Sequence, residues 1–191
     1  INITNGFSNN GTFTHGSGTI AFTGTANQNI NGSSSTPFYN LISNSSVSVT
    51  PLTAMSVAGM LTLSTGNFVN TGSLLTLGNG STIIRNDGTN LTGNAPIGGA
   101  YNLIYNGTLY SSGPEASANI NDLTNNLTGT LTIAGNIAPV GDILNQAGTF
   151  ASVANTISCS DLTNNAIWDS PSTILTLTGN LANNGTFNHN S

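Results

Sequence analysis

Lysine is absent from this chain of 191 residues, arginine occurs once, at Arg85, and charged residues of both signs make up 4% of the total. Phosphate backbones are held by clustered Lys and Arg, so a nucleic-acid partner is not expected, and an anionic membrane surface is disfavoured for the same reason. Long apolar runs are missing too. No stretch approaches the roughly 20 apolar residues of a spanning helix, so membrane insertion is not expected. The first residues, Ile1-Asn-Ile-Thr-Asn-Gly, lack the basic and apolar regions of a signal peptide, which leaves any export signal removed or outside this sequence. The single cysteine, Cys159, rules out an internal disulfide. In Ile157-Ser-Cys-Ser-Asp161 it reads as a small inward-facing residue rather than a nucleophile. Helical spacing of apolar residues is also absent.

What replaces charge is amide and hydroxyl. The chain holds 31 Asn, 28 Thr, 22 Ser and 23 Gly, so its wet surface must be covered by these groups. Disorder is excluded by the remainder, because disordered chains combine low hydrophobicity with high net charge, whereas this one is 37% hydrophobic with a net charge of -5. Its Leu, Ile, Val and Phe stand two apart in short runs, which is strand patterning. Six Asn-Gly pairs, at 5-6, 10-11, 31-32, 79-80, 106-107 and 184-185, lie between the runs. Both residues tolerate positive φ and suit sharp corners.

The runs are copies of one another. Leu61-Thr-Leu-Ser-Thr-Gly-Asn-Phe-Val-Asn-Thr-Gly72 reads as strand, Gly-Asn corner, strand, and it recurs from Leu131 to Gly141 and from Leu175 to Gly185. Asn9-Asn-Gly-Thr-Phe-Thr-His15 returns 174 positions later as Asn183-Asn-Gly-Thr-Phe-Asn-His189, and Tyr-Asn-Leu-Ile occurs at Tyr101 after the related Tyr39-Asn-Leu-Ile42. Such repeats stack as quasi-one-dimensional solenoids with turns of roughly 20 to 30 residues. The expected fold is therefore all-β, a parallel β-helix (β-solenoid), taken as right-handed, built of short strands with Asn/Gly corners. Inward aliphatic and aromatic residues should form columns, and Asn or Thr at the corners should form amide and hydroxyl ladders. Residues 1-191 are expected to be a single segment, one repeat unit of about 174 residues with the start of the next, drawn from a longer or polymeric assembly. The stretches 86-99 and 110-116 read as loops, and Gly11-Thr-Phe-Thr-His15 as a strand.

Residues 9-22, 38-42, 59-63 and 173-187 resemble the long repetitive surface proteins of gliding and secreting Bacteroidetes-type bacteria. The resemblance implies an exported parallel β-helix used as an adhesin stalk or surface fibre, extracellular or on the cell surface, and brings no catalytic residues with it.

No catalytic, metal or cofactor set is expected. Calcium-binding nonapeptides need Gly-Gly-x-Gly-x-Asp in series, and none is present. Asp161 and Asp169 are the closest acidic pair, weighed as a catalytic pair against the more ordinary role of turn aspartates. His15 and His189 occupy the same place in the recurring phrase, which marks a structural position more than a metal ligand. Trp168 and the four tyrosines could supply a sugar-stacking platform, with Tyr101, Tyr105, Tyr110 and Trp168 as the candidates for glycan contact, against core packing for Trp168. Thr62, Thr132 and Thr176 are the start of a column of the kind an ice-binding face would need. The nine Asn-x-Ser/Thr sequons are what chance gives in such a composition. Ile1, Ile3, Phe7 and Phe13 on one side, and Leu175, Leu177, Leu181 and Phe187 on the other, are expected to present matching inner side chains where units stack. The expected partners are copies of the chain or adjoining repeats, with surface glycans second.

Overall fold

A computed structural model describes residues 1–117, 119–152, 154–170 and 172–189. Every regular element among them is a strand, and the pairings between neighbouring coils are parallel. The chain is a parallel β-solenoid, and it divides into two compact units, Ile1–Tyr101 and Asn102–Ser191. No helix among the described residues is long and apolar enough to cross a membrane.

Each coil has three legs. In Ile1–Tyr101 the first leg is carried by Asn2–Ile3, Thr19–Phe22, the start of Asn40–Pro51, the start of Met60–Asn70, and Thr82–Arg85. The second leg is carried by Gln28–Asn31, the ends of the two long strands, and Thr89–Gly93; the third by Thr36–Phe38, Met55–Val57, Leu75–Leu77 and Ile97–Gly98. In Asn102–Ser191 the long strands Ile120–Ile133 and Ile143–Ser152 again run from first leg into second, and Thr156–Cys159 and Ile174–Leu177 supply third legs. Among the described pairings a coil takes from 18 residues, as from Thr149 to Ile167 and from Thr156 to Ile174, to 23, as from Phe7 to Ile30 and from Gly66 to Thr89.

In two of the long strands, Met60–Asn70 and Ile143–Ser152, the corner needs glycine. Gly66 and Gly148 have φ of 65° and 63°. A Cβ at Gly66 would run into the carbonyl of Ser45, and one at Gly148 into that of Gly129. Both are the left-handed, close-approach positions that glycine alone fills without strain.

Because successive coils are in register, like stacks on like. In the first unit Ile20, Leu41, Leu61 and Ile83 form one first-leg column, and Val49, Phe68 and Leu91 form a second-leg column, all buried. In the second unit the first-leg column is Leu123, Ile143, Leu162 and Leu181. Its second-leg column is Tyr110, Leu131, Phe150, Trp168 and Phe187. Phe150 and Trp168 lie 4.4 Å apart with planes 5° from parallel, and Phe187 continues the stack 5.9 Å from Trp168. The third leg adds Ile137, Ile157 and Leu175.

The amide ladder lies inside the coil. Asn125 donates from Nδ2 to Asn145 Oδ1 at 2.8 Å, Asn145 to Asn164 Oδ1 at 2.7 Å, and Asn164 to Asn183 Oδ1 at 2.7 Å. The same three amides donate again, at 2.9 Å, to the carbonyls of Ala147, Ile167 and Thr186 across the corner. Asn125, Asn145 and Asn164 are fully buried. One side chain thus closes a corner and joins two coils, and each buried amide is satisfied, which is what its burial requires.

Two expectations need correction. Gly11-Thr-Phe-Thr-His15 forms no strand; Phe13 instead packs on Phe7 and Phe38 with ring centroids 5.3 and 5.7 Å away. The stretches 86-99 and 110-116 contain legs rather than loops alone. Thr89–Gly93 pairs with 66–70, driven by Leu91 stacking on Phe68, and Ile97–Gly98 and Tyr110–Ser111 also pair.

The ladder gives a direct test. Asn145→Leu should cost about 3 kcal/mol, because it strands the Asn125 donor, the Asn164 acceptor and the Ile167 carbonyl in the core. The exposed Asn165→Ala should stay within about 0.5 kcal/mol. Urea midpoints at constant slope would read both; equal midpoints for the two variants would show that the ladder holds nothing.

Candidate functional site

The residues singled out from the sequence fall into three groups in the structure: enclosed, stacked coil to coil, or part of a coil surface. Tyr101, Tyr105 and Trp168 have no exposed surface and Tyr110 keeps 6%. None of the four can offer a ring to a glycan. Their rings are too large to leave outside once the alternation turns them inward: Tyr105 donates its hydroxyl to Glu115 Oε1 at 2.9 Å, and Trp168 sits in the aromatic stack. Glu115 is itself buried and accepts the Gly113 N–H at 2.9 Å.

Asp161 and Asp169 do not form a pair. Asp161 precedes the first leg Leu162–Asn164 and Asp169 ends the second leg Ile167–Asp169. Asp161 belongs to a column running up the coil starts. Asp122 Oδ1 accepts the N–H of Asp142 at 2.9 Å, Asp142 Oδ1 that of Asp161 at 3.0 Å, and Asp161 Oδ1 that of Asn180 at 2.6 Å. These are turn aspartates that tie one coil to the next. Among the described residues no three His, Cys, Asp or Glu side chains are grouped as metal ligands would be.

The histidines have different settings. His15 Nδ1 accepts the Ser17 N–H at 3.0 Å and its ring lies 5.6 Å from that of Tyr39. His189 places Nδ1 2.9 Å from the carbonyl of Ser170, with Phe187 6.0 Å away.

Thr62, Thr132 and Thr176 lie on the first, second and third legs, so they are not a column. The cause is that the recurring phrase occupies a different corner each time. Leu61–Gly72 turns from first leg to second at Gly66, Leu131–Gly141 from second to third at Gly135-Asn136, and Leu175–Gly185 from third back to first at Gly179-Asn180.

The same displacement affects the stacking residues. Ile1 and Ile3 stand at the first leg, beside Thr19–Phe22, whereas Leu175 and Leu177 stand on the third, beside Ile157 and Cys159. Leu181 is on a first leg over Leu162, and Phe187 on a second leg over Trp168. Phe7 pairs with Ile30 and joins Phe13 in the aromatic cluster. Ile1, Ile174 and Leu181 are 82, 67 and 49% exposed.

Cys159 is buried. Burial first, and then the negative charges of Asp142 and Asp161, push its thiol up to about 11. The thiolate is the reactive form, so this thiol is inert near neutrality.

Comparison with protein-family models, with curated proteins and with solved structures returned no match.

Tyr39, the fourth of the tyrosines weighed as a sugar-stacking platform, is 37% exposed beside His15. No local signal sets it apart, since Tyr39 and Tyr101 open the same Tyr-Asn-Leu-Ile phrase; in the fold Tyr39 stands just before the leg that begins at Asn40, whereas Tyr101 opens its leg.

The thiol carries a pH test. A folded thiol pKa above the unfolded one adds stability that is complete below the unfolded value and is lost as pH rises through the folded one. Native protein should resist a thiol-specific disulfide reagent at pH 8 and react fully in urea, and its stability should fall from about pH 9 to 11 less steeply in Cys159→Ala. Rapid labelling of the native state would contradict the buried setting.

Proposed function

We propose that this chain is a segment of an extracellular bacterial surface fibre or adhesin stalk, a structural protein and not an enzyme, in which the solenoid is itself the working object. One observation carries the reading: the recurrent interactions of both units run from a coil to the next coil at the same position. The amide ladder, the aspartate column, the aromatic stack and the aliphatic columns all do so. Such chemistry recognises another coil, whether of an adjoining repeat or of a second copy. A surface of Asn, Thr and Ser with few charges suits exposure outside the cell, and the resemblance to repetitive surface proteins points the same way.

The coil Ile174–Asn188 indicates how stacking would proceed. Ile174 and Leu181 are exposed there, and Leu175, Leu177 and Phe187 are half-buried. A further coil laid on it would extend the Leu162–Leu181 column and the Trp168–Phe187 stack and pair the strand edges. Cohesion would come from backbone pairing and apolar burial, with salt bridges contributing almost nothing in a chain with one cationic side chain.

Electron microscopy of the native protein should show rods or filaments that persist when salt is raised, because there are few charges to screen. Phe187→Asp should weaken end-to-end association by putting an unpaired charge into an apolar column. Monodisperse globular particles, dissociation by moderate salt, or a Phe187→Asp variant that assembles normally would each count against this function.

A further inference from the structure

Tyr39 is the tyrosine whose ring meets solvent, and it is held from two sides. It lies between the third leg Thr36–Phe38 and the first leg that begins at Asn40. The His15 ring stands 5.6 Å away, inclined by 32°. On the next coil Gly59 makes room for it: a Cβ there would come within 3.2 Å of Tyr39 Cε1 and 2.6 Å of Asn40 Oδ1. The polar groups beside the ring are also fixed. His15 Nδ1 accepts the Ser17 N–H, which leaves the imidazole proton on Nε2 as a donor. Asn40 Oδ1 accepts the Met60 N–H at 3.0 Å, and Asn40 Nδ2 reaches Thr19 Oγ1 at 3.4 Å. Met60 keeps 37% of its surface exposed.

Charge decides what could bind here. Between Ile1 and Tyr101 the sole cationic side chain is Arg85 and the sole carboxylate Asp87. Arg85 is 3% exposed, and its guanidinium is engaged by the Thr89 carbonyl and Asn90 Oδ1. The patch therefore offers a ring face, a thioether, an imidazole N–H, a phenol and an amide, and no exposed cationic side chain to hold a phosphate, sulfate or carboxylate. A partly exposed ring with neutral donors and acceptors around it matches a molecule that is apolar on one face and rich in hydroxyls at its rim.

We propose that Tyr39 and His15, with Asn40 and Met60 beside them, form a binding platform for a neutral saccharide. The sugar's C–H face lies on the Tyr39 ring, whose π face is the negative end of its quadrupole. Sugar hydroxyls bond to His15 Nε2–H, the Tyr39 phenol and the Asn40 amide. This site is separate from the enclosed Tyr101, Tyr105, Tyr110 and Trp168, and it does not rest on the stalk reading, since unassembled protein can be assayed for it.

The test is calorimetric titration of the full chain with cellohexaose, chitohexaose and mannohexaose, with an oligogalacturonate as the acidic control. At least one neutral oligosaccharide should bind. Tyr39→Ala should weaken that binding by roughly tenfold or more, and Tyr39→Phe, which keeps the ring, should retain most of it. His15→Ala, in a segment outside the strands, should weaken it severalfold with the circular dichroism spectrum unchanged, and so reads the site even if Tyr39→Ala disturbs the fold. Binding of the acidic control alone, no binding of the neutral sugars, or neutral binding that Tyr39→Phe abolishes as fully as Tyr39→Ala would overturn the proposal.

Discussion

In a parallel coil the nearest neighbour of a side chain is the residue at its own position one coil away, at a spacing of about 4.8 Å. Everything else in this protein follows from that constraint. Aliphatic and aromatic groups can stack on themselves, and so can an amide, which is donor and acceptor at once. A charge does so only at a cost, since two like charges at that spacing repel by about 1 kcal/mol in water and several times more at a partly buried site. A composition of 4% charged residues and 31 asparagines is what self-stacking selects. The aspartate column at 122, 142 and 161 is consistent with it, because each carboxylate accepts a backbone N–H from the following coil at the molecule's surface.

The fold class was legible because alternation and corner chemistry are local. Leu61–Gly72 shows both, and it folds as read, with Gly66 at the corner. What the string did not carry was which corner it would form. Leu-Thr-Leu or Leu-Thr-Ile followed by Gly-Asn suits any of the three, since each asks for the same thing: an inward pair, an outward hydroxyl and a residue tolerant of a tight turn. Thr89-Asn-Leu-Thr-Gly93 failed as a prediction for a related reason. A single inward Leu91 among amides and hydroxyls looks like loop until Phe68 is seen on the next coil.

The surface was less legible than the core. Period two says that alternate residues point the same way but not which way, so Tyr101 and Tyr105 on a first leg read no differently from exposed rings. Burial of Trp168 between Phe150 and Phe187 depends on partners 18 and 19 residues away, a distance set by coil length and not by any nearby residue. Tyr39 escapes enclosure because it falls between two legs, where alternation no longer applies.

Arg85 has a further bearing on how such a protein lasts. It is the chain's only lysine or arginine, and it is enclosed in the first unit with its guanidinium tied to the adjoining leg. A protease that cuts after basic residues thus finds one bond in 191 residues, and reaching it requires opening a coil first. The same scarcity of amines leaves little for carbonyl-bearing or acylating reagents to attack. A surface made of amides and hydroxyls thus offers a protease of that specificity, or a reagent directed at amines, almost nothing to act on.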